Sequence, residues 1–428
     1  MDPNSILALF GIDADLIEGE PMIDSSGGES FIYIRLKLVR PRRCPHCGAE
    51  EGIIVNDMKT VRVHHGYSEG KPFSLVVTKR RFRCKRCGRT FTEKTPHAGG
   101  RKRISTDAVA LIADELKTPV TYRSIAKRNG VSIASVMGIL DSMSAPGRLP
   151  MPRILCIDEF NFNVTDMIRY PAVITDFRTS RIVDVIKNRQ LSYLKSCFGK
   201  TSRKERENVR FFVSDLCETY RTVKQLYFPK AVHIADTFHL VALFTRTLQK
   251  IRTRCMKELD KNTYEYAFMK KNWKCFLMRR DRLRSAGCEI CHRKTRETVT
   301  LLEMVDRCQE MFPKLRTICL LKEDFLRYTK GISEREACAF IDSFVRRAVD
   351  GTDPDIATLG RTLKDWRQEI VNGLVRNEMG INITNAKAER NNGSVQKLIS
   401  AANGLVNYAR MRKRVLLIDR HSHEKGND

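Results

Sequence analysis

Apolar and polar positions switch period several times along this chain, and the clearest run is Ile154-Leu155-Cys156-Ile157, followed at once by Asp158, Glu159 and Phe160. Four apolar residues in a row predict a strand buried on both faces. A carboxylate at the end of such a strand is costly unless a cation, hydrogen-bond donors or a metal compensates it. Two further runs end the same way. Val209 to Ser214 ends at Asp215, and Ala231 to Ala235 ends at Asp236. A single strand-end Asp is more often a turn or a helix cap. Three of them predict carboxylates gathered at one sheet edge, where they repel each other at neutral pH unless divalent metal binds.

The surrounding pattern gives the order of elements. Pro171 to Asp176 and Ile182 to Ile186 read with the first run as a three-stranded meander. A helix through Leu191-Ser192-Tyr193-Leu194 comes before the Asp215 strand. A second helix, from about Glu218 to Tyr227, comes before the Asp236 strand, and a third runs through Leu240 to Phe244. Three strands, helix, strand, helix, strand is the order of a ribonuclease-H-like α/β domain, expected here over residues 153–428. From about 252 to 371 the pattern is helical, basic and free of strand signals, and predicts a helical insertion or lid. Arg279-Arg280-Asp281-Arg282-Leu283-Arg284 is typical of it. Cys288 and Cys291, with His292, have no second knuckle to complete a metal site and read as reduced cysteines. Near the end, Thr384 to Ile399 reads as a helix capped by Asn385. It carries Glu389 near the face of Asn385, Asn392 and Gln396. A Glu placed there can reach back to complete a carboxylate triad, although alone it reads as a solvated residue. Lys397, Arg410, Arg412, Lys413 and Arg414 suit either a DNA backbone track or a solvated face.

The N-terminal part has a different texture. A short apolar run, Ile6 to Phe10, predicts a helix, and Phe31 to Leu38 alternates as a strand. Cys44-Pro45-His46-Cys47-Gly48 and Cys84-Lys85-Arg86-Cys87-Gly88 are two CxxCG units. Each converges two sulfurs on a tight turn that the glycine permits, and together they predict a tetrahedral structural Zn2+ site. The runs Phe73 to Val77 and Lys79 to Arg83 between them complete a zinc ribbon within residues 1–100, decorated because the interval is long. Arg101-Lys102-Arg103 opens a basic linker, and Thr106 to Leu116 reads as an amphipathic helix. Thr121 to Leu140 has helix-turn-helix form, giving a DNA-binding domain over 101–145. A small Ala126 allows close contact, Asn129-Gly130 turns, and Ser132 caps a second helix with Val136 and Leu140 facing inward. That helix would enter a major groove with Ser132, Ala134 and Ser135 near its start. Pro146, Gly147, Pro150 and Pro152 mark the linker that follows.

Composition sharpens the choice of partner. The 428 residues carry 77 Lys and Arg against 50 Asp and Glu, a formal net charge of +27. A polyanion is the expected partner, and double-stranded DNA the leading one. A membrane is not expected, because no run is long and apolar enough to span one and the first residues lack a signal-peptide pattern. Most of the 14 cysteines are isolated in apolar or basic runs, which fits a reducing cytoplasm rather than a disulfide framework.

Taken in order, CPHCG…CKRCGRTF, the helix-turn-helix, IDEF, VSDLCETY, IADTFHL and NAKAERNNGSVQKLI resemble the insertion-sequence transposases of the ISL-three family, from about Cys44 to Leu416. These are DDE transposases of bacterial mobile elements. The resemblance implies that Asp158, Asp215 and Glu389 are the three acidic catalytic positions. It implies two Mg2+ (or Mn2+) ions held by them, and a supporting role for Asp236 and His239 in the D-x-F-H segment. It also implies transposon ends and target DNA as substrates, and a homodimer or higher assembly on DNA. Glu159 is the rival of Asp158. Adjacent strand side chains face opposite ways, the apolar run gives no preference, and the motif match selects Asp158. Two other readings stay open: a non-catalytic DNA-binding regulator built from the ribbon and helix-turn-helix, and a ribonuclease-H-like nuclease that cuts without joining.

Overall fold

The computed structural model describes residues 12–24, 30–35, 37, 41–68, 71–93, 103–160, 170–287, 289–291, 298–327, 332–349, 353–375, 393 and 407–424. Glu389, Arg101, Lys102 and the apolar run at 6–10 lie outside them. The chain divides into two compact units, Met1–Gly147 with Lys397–Asp428, and Arg148–Gln396. Among the described residues no helix is long and apolar enough to cross a membrane.

The first unit is built on a five-stranded sheet. Strands β1 (Met22–Asp24), β2 (Ser30–Arg35), β3 (Ile53–Ser68) and β4 (Lys71–Cys84) lie in the order β1-β2-β4-β3, and β5 (Thr90–Thr92) pairs with β4. The long interval between the two CxxCG units is thus the β3–β4 hairpin. Its register pairs Ile53 with Cys84. This returns the chain to its starting point and sets the second knuckle beside the first. The two knuckles are built alike: Gly48 N–H donates to the Cys44 carbonyl and Gly88 N–H to that of Cys84, each at 2.9 Å. Both glycines have positive φ, 71° and 70°. The sulfurs of Cys44 and Cys87 are 3.8 Å apart, those of Cys47 and Cys84 3.7 Å. The ligand atoms of all four lie within 4.8 Å of one another, the only such group of three or more among the described residues. Four thiolates on two knuckles form a structural Zn2+ site.

Three helices follow: α1 (Thr106–Glu115), α2 (Tyr122–Asn129) and α3 (Ile133–Ser142). Each starts on a hydroxyl cap, with Ser105 accepting from Ala108 N–H, Thr121 from Ser124 N–H and Ser132 from Ser135 N–H. Ala126, Val136 and Leu140 are buried between the helices as their spacing requires. Gly130 ends α2 in the left-handed region, at φ 62°, where a side chain would also strike the Tyr67 ring at 2.7 Å. The ribbon holds this turn directly. His64 of β3 bonds the Asn129 carbonyl through Nε2 at 2.7 Å, and its backbone bonds Arg103 and Ser105.

The C-terminal helix, Tyr408–Glu424, packs in this same compact unit. The cause is charge at a helix end. Lys413 Nζ donates to the carbonyls of Leu140, Asp141 and Met143, which close α3, at 3.0, 3.1 and 2.8 Å. Arg410 pairs with Asp141 at 2.6 Å. Arg414, only 1% exposed, donates to the carbonyls of Thr118 and Val120 and lies 4.7 Å over the Tyr122 ring. Arg414 is therefore an interior group, while Arg410 and Lys413 stay half-buried at the surface of the unit.

The second unit has a sheet of β6 (Ile154–Glu159), β7 (Ala172–Asp176), β8 (Ile182–Ile186), β9 (Phe211–Ser214) and β10 (Val232–Ala235), in the order β10-β9-β6-β7-β8. The β6–β7–β8 meander is antiparallel, while β9 runs parallel to β6 and β10 parallel to β9. Helices α4 (Leu191–Gly199), α5 (Arg203–Glu207) and α6 (Glu218–Tyr227) fill the connections. Leu194, Phe198, Tyr220 and Val223 of α4 and α6 cover the face that carries Leu155, Ile157 and Phe212. Then α7 (Thr237–Glu258) leads into a helical body: α8 (Tyr264–Lys271), a 3-10 turn at Trp273–Phe276, α9 (Arg280–Ala286), α10 (Leu301–Met311), α11 (Pro313–Arg327), α12 (Glu334–Val349), α13 (Pro354–Asp365) and α14 (Arg367–Leu374). Phe244 of α7 anchors its core, stacked on Phe325 with ring centroids 4.7 Å apart and edge-on to Phe344 at 5.2 Å. The expectation of no strands here fails at one place: β11 (Glu289–Cys291) and β12 (Thr298–Thr300) form a hairpin, too short to show a period in sequence.

Two outcomes are expected of the first unit. Cys84→Ser removes a ligand and lowers zinc content below one per chain, with loss of N-terminal folding, because thiolate coordination and folding are coupled. Metal analysis with limited proteolysis checks this, and a zinc-free wild-type protein with four reactive thiols would refute it. Gly130→Ala costs about 1–3 kcal/mol through strain at positive φ, the Tyr67 clash adding to it. Gly138→Ala, in α3 with open space around it, costs nothing or stabilises. Denaturant unfolding compares the two.

Candidate active site

Strand register does the gathering. Cys156 pairs with Val213, and Ser214 with Ala235, in parallel ladders. Asp158 therefore lies two residues beyond Cys156 at the level where Asp215 lies two beyond Val213, and Asp236 follows beside Asp215. The alternation of the strands decides the faces. Ile154, Cys156, Phe211, Val213 and Ile234 share one apolar cluster, and Asp158, Asp215 and Asp236 continue its positions. Glu159 belongs to the other parity, with Leu155 and Ile157, and is held by Arg189 from beyond β8. The neighbouring strands thus put Asp158 on the parity of Asp215 and Asp236, while the charge of Glu159 still reaches Asp215.

One side chain ties the cluster together. Asp236 caps α7, its carboxylate accepting from Phe238 N–H at 2.8 Å. This fixes the first turn of the helix and sends His239, three residues on, back over the strand ends. His239 Nε2 lies 3.5 Å from Asp158 Oδ1 and 3.7 Å from Asp236 Oδ2. Asp158 also accepts from the Glu159 N–H at 2.7 Å. Asp215 is placed differently: its Oδ1 is buried with no hydrogen-bond partner.

The electrostatics follow from burial and crowding. Burial raises the Asp215 carboxyl to about 6, with His239 opposing and Glu159 and Asp158 adding to the rise. Burial likewise raises Asp236 to about 7, against the pull of His239 and the Phe238 amide. Burial alone would lower His239, but the contact with Asp158 and the charges of Asp158, Asp236 and Asp215 outweigh it and hold the imidazole up at about 9. At neutral pH His239 is the cation that lets these carboxylates share one edge.

Of the other sequence-derived candidates, Ser132 and Ala134 are exposed at the start of α3, and Ser135 is half-buried with its hydroxyl 2.9 Å from that of Ser132. Arg103 is exposed. Sequence reasoning missed a group behind the acids. Ser214 Oγ meets His233 Nε2 at 2.9 Å and bonds the Asp215 carbonyl oxygen. His233 Nδ1 faces Glu369 of α14 at 3.6 Å, and Arg221 bonds the same Glu369 oxygen at 3.0 Å. Half-buried Glu369 is held down at about 2, because hydrogen bonds from His233, its own backbone and Arg221, with the Arg221 charge, outweigh its desolvation. Only the His within an apolar run, Val232-His233-Ile234, marks this group in sequence. Arg189 also went unnoticed, since it sits in a loop without period.

Comparison with known families places these features. Residues 155–415, well over half of the chain, match a family model described as transposase, of the ISL3 DDE type. Residues 40–87, which contain both cysteine knuckles apart from the last glycine, match the zinc-finger of transposase IS204/IS1001/IS1096/IS1165. A comparison with curated proteins gives no match. The matched span contains all but the first residue of the acid-bearing sheet and the matched finger contains all four thiols, so the chain belongs to the ISL3 family of DDE transposases.

Proposed function

We propose that the protein binds the ends of its insertion sequence and catalyses Mg2+-dependent DNA cleavage and strand transfer, using a ribonuclease-H-like domain for chemistry and a zinc-ribbon and helix-turn-helix unit for recognition. The observation that carries this is the buried, partnerless Asp215 Oδ1 on the sheet edge that also bears Asp158. A desolvated carboxylate oxygen without a donor fits a hard divalent cation, which prefers oxygen ligands. Asp158 and Asp215 would hold the metal from the sheet, with Glu389 as the third ligand. Bound Mg2+ or Mn2+ would activate the attacking oxygen and stabilise the leaving 3′-oxygen. The chain's own groups prepare the site. His239 carries its proton between Asp158 and Asp236, Asp236 anchors the helix that presents His239, and Arg189 keeps Glu159 on the opposite face. Water attacks first at the end of the element, and the freed 3′-hydroxyl attacks target DNA second. Double-stranded DNA is the partner, engaged by the start of α3 (Ser132, Ala134, Ser135) and the basic 101–103 linker, with the protein assembled as a dimer or larger on it. The decisive assay is incubation with Mg2+ and DNA carrying the element's ends. Joined products support the transposase, nicking alone the nuclease, and binding alone the regulator.

Two outcomes follow. Asp158→Asn, Asp215→Asn and Glu389→Gln each lose cleavage by several orders of magnitude while retaining end binding, because loss of a ligand misaligns the in-line displacement. Asp236→Asn loses less, since Asn can still cap α7. Gel assays of binding and cleavage check both. Abolished cleavage in Asp236→Asn with activity kept in Asp215→Asn would reassign the second ligand.

The second outcome concerns pH. Asp215 and Asp236 have folded pKa values raised above the unfolded one, so their ionisation costs stability increasingly as pH climbs from about 4 through about 7. His239 is also raised, so its stabilisation is complete below about 6.5 and is lost as pH approaches about 9. Both effects have one sign. Without added Mg2+, the melting temperature falls between pH 6 and pH 9, Asp236→Asn shrinks the fall, and Mg2+ raises the melting temperature most at the alkaline end. A flat profile in calorimetry would contradict this.

A further inference from the structure

The helical body carries a feature that the proposed chemistry does not use. Trp273, Lys274, Leu277, Met278, Arg279 and Arg282 line a surface concavity of about 430 Å³ between the 3-10 turn and α9. The Trp273 side chain is 37% exposed, an unusual outlay for the largest apolar side chain. Its mounting is rigid. Cys275 and Phe276 of the same turn are buried, and Phe276 packs edge-on against Phe268 at 6.0 Å. The buried Lys322 ammonium donates to the carbonyls of Phe276, Leu277 and Met278 at 3.1, 3.3 and 2.8 Å, which fastens the turn to α11. On the far side Arg280 pairs with Asp306, and Leu283 is buried, fastening α9.

The rim is almost wholly cationic. Lys274 Nζ lies 5.7 Å from the Trp273 ring centroid. Arg279 pairs with exposed Asp281 at 3.0 Å, while Lys274 and Arg282 have no acidic partner among the described residues. A fixed indole face with an ammonium and two guanidinium groups around it matches one ligand chemistry: a flat aromatic base joined to phosphates. A base inside a duplex has both faces covered by its neighbours, so the indole can stack only on an unpaired one.

We propose that this concavity is a stacking site for an unpaired base of single-stranded DNA, with Lys274, Arg279 and Arg282 on the adjoining phosphates. The inference rests on reading the chain as a DNA-binding protein, but not on its catalysis.

The chain has two tryptophans, and Trp366 is buried beneath the Arg221 guanidinium, out of reach of a stacking base, so the ligand-induced change in emission, compared between wild type and Trp273→Phe, reports on Trp273. The full-length protein, without added Mg2+, is titrated with a single-stranded oligonucleotide, its duplex, the same single strand with all bases removed, and heparin. We expect quenching by the base-bearing single strand alone, and its loss in Trp273→Phe. Trp273→Ala weakens single-strand affinity roughly 10-fold, leaving duplex affinity within about 2-fold, as loss of one stacked base predicts. Arg282→Ala instead lowers the salt dependence for the single strand. Equal quenching by the baseless strand or heparin overturns the proposal, as does equal loss of single-strand and duplex affinity in Trp273→Ala. Failure of the wild type to bind any of the four probes would count against the DNA-binding reading itself.

Discussion

The second unit depends on a compensation between charge and register. Parallel pairing of β9 with β6 and β10 with β9 leaves the strand-end carboxylates no choice but to meet. A sheet edge with Asp158, Asp215 and Asp236 on one face would push itself apart if nothing answered it. The answer comes from the element that the last of these acids starts. Asp236 caps α7, and the cap presents His239 to Asp158 and to Asp236 itself. Asp215 receives no such donor at Oδ1, and the asymmetry separates its part from that of Asp236.

The sheet was readable because its strands are short, apolar and acid-ended, and the helices between them are amphipathic. Glu218–Tyr227 is observed at the bounds its pattern implies. The choice between Asp158 and Glu159 was not readable from the strand alone, since both sides of β6 are buried and period-two alternation has no polar face to start from. It needs the neighbouring strand. The His233–Glu369–Arg221 group is hidden for a similar reason: it joins positions more than a hundred residues apart, and no local pattern announces a contact of that range. Glu389, the third acidic position of the family resemblance, lies outside the described residues.

In the first unit the cysteines were legible and their scaffold was only partly so. The spacing shows two knuckles, but the hairpin that superposes them depends on a long register with bulges near Asn56 and His65. The basic C-terminal residues were legible only in part. Lys and Arg on a helix suggest a polyanion surface, yet Lys413 Nζ and Arg414 Nη2 donate to backbone carbonyls, and Arg414 is interior. Net charge identifies the kind of partner and not the particular cations that meet it.

That C-terminal helix also makes the first unit discontinuous in sequence. The unit that begins with the zinc ribbon is completed by residues 408–424, which a ribosome makes only after the whole of Arg148–Gln396. While synthesis proceeds, the carbonyls closing α3 and the Tyr122 ring wait without their cations. A chain cut after Gln396 would therefore lack more than one helix: the end of α3 and the Tyr122 ring, neither of them in the removed segment, would lose the Lys413 and Arg414 groups that cover them.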